Sequence, residues 1–316
     1  MSFIPLFFSF LSFQSPSFMR HLLYIINPIS GTRNKQSVQQ LVEEKTKASG
    51  LSYSIRHSVA SGDYSFLHPI IEEEKVTDVI IAAGDGTVNQ VINGLKGRDV
   101  QFGILPCGSG NGLAFSAGIP KDLQLALKVI FKGHSQLTDA FLVNDAFACM
   151  LCGIGFDAQV AHDFAKAPTR GLNTYIQKTV SNFFIAKPYP FHITTPSGEL
   201  EKEAFFISIA NSNQFGNNFT IAPKASLTDG LLDIVVVTKQ NKASMLVQML
   251  RQVGGFNYLV NEELAKVNKG ILYFQTDALT INNAGGAPMH IDGDPVETAT
   301  RLEIQMLKSC FRLICP

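Results

Sequence analysis

The sequence predicts two domains: an α/β domain built on a parallel sheet, then a mostly antiparallel β-sandwich domain. Three observations carry this. At 316 residues with 46% hydrophobic content, the chain can fill two cores. Between Leu22 and Phe131, an apolar run, a polar turn and a helical pattern follow one another four times. That alternation is the signature of parallel strands joined by crossover helices. After Thr138 the rhythm shifts to short apolar or alternating runs separated by Gly, Pro, Asn and Asp, the pattern of antiparallel strands joined by turns. The expected boundaries are 1–19 as an extension, 20–138 as the α/β domain, 139–295 as the sandwich and 296–316 as C-terminal strands returning to the first domain.

In order, the first domain reads as strand Leu22–Ile26, helix Ser37–Ser49, strand Ser52–His57 and helix Tyr64–Lys75. Next come strand Val79–Ala83 and a helix to Leu95, with Thr87 as its N-cap and Val88, Val91, Ile92 and Leu95 at helical spacing. Strand Phe102–Pro106, a short helix and helix Asp122–Phe131 complete it. Four small polar turns, Asn27–Gly31, Ser58–Asp63, Gly84–Thr87 and Gly108–Gly112, fall at the carboxyl ends of the strands, the ligand edge of such sheets.

In the second domain the strand runs are Phe141–Val143, Phe147–Leu151, Phe191–Thr194, Ala204–Ala210, Leu231–Val237, Gly270–Gln275, Ala278–Ile281 and Met289–Ile291. Helical patterns interrupt them at Ala158–Ala186 and Lys242–Val260, and Arg301–Ile314 closes the chain as one or two strands.

Bulk properties narrow the function. Lys+Arg and Asp+Glu are 26 each, so no basic footprint for nucleic acid exists. Five cysteines, an odd and sparse set, fit a reducing compartment and hence the cytoplasm. Cys149 and Cys152 form a CxxC, but within the apolar run Ala146–Cys152 they read as buried thiols, not as a redox or zinc pair. Phe3–Phe13 is apolar, too short to span a bilayer and without a positive n-region. The expectation is translation from Met19, with a weak export signal or anchor as the alternative. Asn218-Phe219-Thr220 fits a glycosylation sequon, which carries no weight in a cytoplasmic protein.

The chemistry concentrates at Val79–Asn89. A β-branched run breaks at Gly84-Asp85-Gly86 and leads into a helix, so unpaired N–H groups and the positive helix end face one point. No Walker A or GxGxxG motif is present. Asp85 inside an anion-binding turn makes sense if Mg²⁺ lies between it and a polyphosphate; otherwise it bonds its own turn.

The ordered motifs carry a resemblance. Asn27-Pro28-x-Ser30-Gly31, Gly84-Asp85-Gly86-Thr87-x-Asn89, Leu105-Pro106-x-Gly108-Ser109-x-Asn111, Gly153-Ile154-Gly155-Phe156-Asp157-Ala158, Thr228-Asp229-Gly230-Leu231-Leu232-Asp233 and Asp292-Gly293-Asp294 resemble the diacylglycerol kinase catalytic-domain family. This group of bacterial lipid kinases is related to sphingosine and ceramide kinases. The resemblance spans Leu22 to Pro316. It implies a phosphofructokinase- and NAD-kinase-like first domain, a lipid-binding β-sandwich, and an active site between them. ATP would be held by Asn27, Ser30, Gly31, Ser58, Gly84, Asp85, Gly86, Thr87, Asn89, Ser109 and Asn111. Asp292 would be the general base, with Asp294 beside it, and Asp229 with carbonyls of Ser226 and Leu231 would hold a structural Mg²⁺. The implied partners are a membrane lipid met by peripheral contact, and a second copy as a homodimer.

Four positions depart from the pattern: Ala83 for the first glycine of GGDGT, Gln90 for Glu, Gly112 for Asp and Asp294 for Glu. Two nucleotide-site carboxylates are thereby missing. A catalytically weak lipid- or nucleotide-binding regulator, or a NAD-kinase-like enzyme, is the alternative to an active lipid kinase. His290 reads as a strand residue.

Overall fold

The apolar runs of the first domain become strands β1 (His21–Ile26), β3 (Asp78–Ala83) and β4 (Gln101–Pro106), buried almost throughout. The half-polar run Ser52–His57 forms β2 and is half-buried. That difference sets their places: the sheet runs β4-β3-β1-β2, all parallel, with β2 at the edge. The computed structural model describes residues 20–28, 35–168, 172–213, 221–239 and 270–316. The helical interlude expected at 242–260, the sequon and the N-terminal extension lie outside these residues.

Helices α1 (Lys35–Ser49), α2 (Leu67–Glu73), α3 (Asp85–Leu95), α4 (Gly112–Ser116) and α5 (Leu123–Lys132) connect the strands. Helix α5 is bounded by its own sequence. The Asp122 carboxylate accepts the Gln124 and Leu125 amides, and Gly133 ends the helix with φ +69°. Helix α2 is shorter than its periodicity suggests, because Asp63 accepts the Ser65 amide and holds 63–66 as a turn.

The second domain contains β5 (Ser135–Val143), β6 (Ala146–Ala148), β7 (Leu151–Gly155), β8 (Tyr189–Thr195), β9 (Gly198–Ala210) and β10 (Leu232–Thr238). After residue 270 come β11 (Ile271–Thr276), β12 (Ala278–Asn282), β13 (Met289–Ile291), β14 (Asp294–Val296) and β15 (Arg301–Ile314). These pair antiparallel around a second core that includes Phe141, Ile154, Ile193, Ile209, Ile234 and Ile304. Strand β15 pairs antiparallel with β12 and β5, and at Arg312 and Leu313 it runs parallel to β4. Among the described residues, one sheet of 15 strands therefore crosses both domains.

Three further expectations change. The single strand read at Phe147–Leu151 is two, because the Cys149, Met150 and Leu151 amides turn to the Asp292 carboxylate. The long helix read at Ala158–Ala186 is α6 (Phe156–Ala165) and α7 (Leu172–Ile185), separated where Pro168 and Gly171 stand. Strand β9 begins six residues earlier than its apolar run, since Glu199–Glu203 pairs with β8 as an exposed hairpin.

Candidate active site

The carboxyl ends of β1 to β4 are tied edge to edge. Asn27 N donates to Ala82 O at 3.1 Å, Ser58 N to Ile26 O at 3.0 Å and Cys107 N to Ala83 O at 3.0 Å. Asn27, Ser58, Gly84 and Gly108 thus share one rim. Helix α3 starts at Asp85 with Gly84 in the N-cap position, not at Thr87. Thr87 lies in the first turn, where its Oγ1 accepts from Asn27 Nδ2 at 2.8 Å. Ser109 is exposed; Ser30 and Gly31 lie outside the described residues.

The glycine turns after β3 and β4 pack backbone to backbone. A Cβ on Gly108 would lie 2.5 Å from Gly84 Cα, and one on Gly84 3.1 Å from Gly108 Cα. Contact between the turns demands these glycines, beyond any approach of ligand. Asn111 braces the second turn. With φ +61° and 4% exposure, it accepts the Gly108 amide on Oδ1 and donates from Nδ2 to Gly108 O, both at 2.8 Å. Both polar side-chain atoms of Asn111 are thus bonded within the turn.

Asp85 lies at the start of α3, and the Asn111 amide donates to its Oδ2 at 2.6 Å. Burial pushes the Asp85 carboxyl up to about 7; the Asn111, Gly112 and Leu113 amides oppose this, and the charge of Asp292 adds to it. Gly112, where the family pattern has Asp, is therefore one of the amides that face Asp85. A raised folded-state acid binds its proton more tightly than the unfolded chain, so stability is greatest below about pH 4 and falls as pH rises toward 7. Between pH 5 and 8, without divalent cation, the loss is expected at about 2 kcal/mol, discounted because the side chain keeps some solvent contact. Urea unfolding of wild type and Asp85→Asn checks this: the variant's profile should be flatter, and equal slopes would refute the assignment.

The second domain meets this rim through Asp292, which is 6% exposed and has φ +50°. Its Oδ1 accepts the Met150 and Leu151 amides, both at 2.9 Å. Its Oδ2 accepts the Cys149 amide at 2.9 Å, the Cys149 thiol at 3.3 Å and Asn89 Nδ2 of α3 at 2.7 Å. Asp294 is exposed beside the first turn of α3, its Oδ2 2.6 Å from where a Gly86 Cβ would stand. Asp85, Gly86, Asn89, Asp292 and Asp294 are thereby brought together.

The Ser226–Leu231 loop is held elsewhere. Asp139, 3% exposed, accepts the Gly230 amide at 2.7 Å and the Ser309 amide at 2.6 Å. Asp229 is exposed and accepts the Leu231 amide on Oδ1 at 3.1 Å. Burial raises the nearby Asp233 carboxyl to about 6; Gln275 opposes this and the Asp229 charge adds to it. A carboxylate with two carbonyls is a hard oxygen set that suits Mg²⁺. Among the described residues, no group of three His, Cys, Asp or Glu side chains could hold a metal, so an ion here needs carbonyls and water. Sequence reading missed Asp139, though an acid inside Thr138-Asp139-Ala140-Phe141 was a signal of a buried, partnered carboxylate.

Residues 21–143 match the diacylglycerol kinase catalytic domain, and 151–314 match the YegS C-terminal NAD kinase beta sandwich-like domain. The chain belongs to the lipid kinase family of YegS and the bacterial diacylglycerol kinases. Within that family it is 30% identical over 274 residues to the "Probable lipid kinase YegS-like" of Klebsiella pneumoniae (strain 342), covering 84% of this chain and 87% of that one. It is 24% identical over 281 residues to the diacylglycerol kinase of Bacillus subtilis (strain 168), covering 87% and 90%. The fold is that of a crystallised diacylglycerol kinase from Bacillus anthracis (strain Sterne), with TM-score 0.73, 21% identity and coverage of 96% and 98%. Of the departures from the family pattern, Ala83 is buried in β3 and Gln90 is exposed, its amide packed against Gly62. No helix among the described residues is long and apolar enough to cross a membrane.

Proposed function

We propose that this chain transfers the γ-phosphoryl group of ATP to a hydroxyl of a diacylglycerol- or sphingoid-like lipid. The observation that carries the reading is the juxtaposition of Asp292 with the N-terminal part of α3, through Asn89, near Asp85. ATP would rest on Asn27, Ser30, Gly31, Ser58, the Gly84–Asn89 turn and Ser109, its phosphates toward the amides that begin α3. ATP supplies the transferable phosphoryl group, and the protein supplies position and charge. Asp292 takes the hydroxyl proton. Its Oδ2 becomes available to a lipid when the Cys149 thiol or Asn89 yields its place, the weaker of these being the thiol at 3.3 Å. Mg²⁺ would ease the repulsion between Asp85 and the phosphates, and a second, structural ion would use Asp229 with the carbonyls of Ser226 and Leu231.

Peripheral membrane contact is assigned to α7. Ile176 and Val180, one turn apart, are 47% and 51% exposed. From Lys166 to Lys187 the sequence holds Lys166, Arg170, Lys178 and Lys187 and no acid, in a chain of zero net charge. Exposed apolar residues within a stretch that carries cations and no acid suit an anionic lipid surface. Ile176→Ser with Val180→Ser should weaken binding to phosphatidylglycerol vesicles by about 2 kcal/mol, roughly 30-fold, in a sedimentation assay. Unchanged partitioning would move the contact elsewhere.

A second reading, a regulator that binds lipid and nucleotide without turnover, draws on the five donors already on Asp292. Incubation with labelled ATP, Mg²⁺ and a panel of diacylglycerols, ceramides and sphingoid bases separates the two. Label in a lipid supports the kinase; binding of ATP and lipid with no label supports the regulator.

A further inference from the structure

Behind the Asp292–Asp294 turn lies a buried polar pair that phosphoryl transfer, as described, does not use. His290 is 1% exposed and Asp157 7%. His290 stands in β13, two residues before Asp292, and Asp157 in the first turn of α6. Gly153 of β7 pairs with His290 on one side and with Ser208 of β9 on the other, so the three form a row across one face of the sheet. Gly153 leaves the middle of that row open. The Asp157 carboxylate and the His290 ring fill it so closely that a Cβ on Gly153 would collide with Asp157 Oδ2 and His290 Nε2.

The pair points at the turn. Asp157 Oδ1 accepts the Ala158 amide at 2.8 Å, which fixes the carboxylate on α6. Its Oδ2 lies 3.6 Å from His290 Nε2. On the far side of the ring, the Gly293 amide donates to His290 Nδ1 at 3.3 Å. As the acceptor in this contact, Nδ1 carries no proton. The turn needs such a tether, because Asp292 at φ +50° holds a left-handed conformation that residues with a side chain rarely adopt, followed by Gly293 at φ +89°. The Asp292 carboxylate sits on the same turn, and its contact with Asn89 of α3 depends on where that turn is placed.

We propose that His290, packed against Asp157, is a positioning residue for Asp292. Its Nδ1 holds the Gly293 amide and so the turn that aims the Asp292 carboxylate at the first domain. The kinetic consequence rests on the kinase reading; the structural one does not. Hydrogen–deuterium exchange of the 289–296 segment and steady-state kinetics are compared in the full-length wild type, His290→Leu and His290→Asn. Leu fills the space without an acceptor. Asn carries its oxygen close to the position of Nδ1.

In His290→Leu, exchange at Gly293 should quicken at least about tenfold and kcat fall about tenfold or more, with KM for ATP within about twofold, since displacement of a reacting group costs turnover before binding. His290→Asn should restore both quantities to within about threefold of wild type, a rescue that loss of packing alone would not show. Should His290→Leu fail to fold, His290→Gln, whose oxygen reaches the Nε2 position instead, takes its place with the same expectation. If the wild type phosphorylates no lipid, the kinase reading fails alone and the exchange result still decides. Equal Gly293 exchange in wild type and the Leu or Gln variant overturns the proposal, as does an Asn variant as defective as they are.

Discussion

Asp292→Asn is expected to lower lipid phosphorylation by at least about 100-fold, the scale of a lost general base. ATP binding by calorimetry should stay within a few-fold, because the amides that begin α3, proposed above to receive the phosphates, are untouched. Stability should also fall. The carboxylate accepts on both oxygens, with the Met150 and Leu151 amides on one and the Cys149 amide and Asn89 Nδ2 on the other. An asparagine keeps one oxygen and turns an NH₂ toward donors, which costs about 2–3 kcal/mol in a site this buried. Rate and stability separate the roles. A variant that labels lipid as fast as wild type, yet unfolds at lower urea, would leave Asp292 only as the brace of the β6–β7 break.

Gly108→Ala should cost about 3 kcal/mol of stability and most of the ATP affinity. The new methyl would lie 2.5 Å from Gly84 Cα and 3.0 Å from Asn111 Oδ1. Neither can move aside cheaply: Gly84 is backbone, and Asn111 is tied to Gly108 by two hydrogen bonds. The turns must part, and the rim proposed to hold nucleotide parts with them. Gly86→Ala is the matched control. Its methyl would meet the far end of the exposed Asp294 side chain rather than backbone, so folding should be nearly unchanged. Urea midpoints and ATP titrations of both variants test this. If Gly108→Ala is as mild as Gly86→Ala, the two turns are not in the contact that the structure gives them.

The first domain was legible because its signals are local. The spacing of Val88, Val91, Ile92 and Leu95 marks one helix face, and all four are buried. The strands Ser52–His57 and Met289–Ile291 have the bounds that their patterns predict. Boundaries failed where a distant partner intervened. Nothing between Phe147 and Leu151 announces a break, since it is made by a carboxylate 141 to 143 residues away. Helix α3 begins two residues before its predicted cap because the Thr87 hydroxyl bonds Asn27, 60 residues earlier, instead of the helix end. The polar half of β9 escaped notice because an exposed hairpin strand carries little apolar signal.

By itself the sequence determined the order of strands, turns and helices in the first domain, and the family. These follow from near-neighbour spacing and from motifs whose residues stand a few positions apart. Only the tertiary structure decided what those residues do to one another. It joined Asn89 to Asp292 across 203 positions, turned Asn111 inward as a brace, set Gly84 against Gly108, and placed His290 under the Gly293 amide. The physical reason is that hydrogen bonds and van der Waals contact act over a few ångströms of space, whereas residue spacing constrains space only within a turn or a strand.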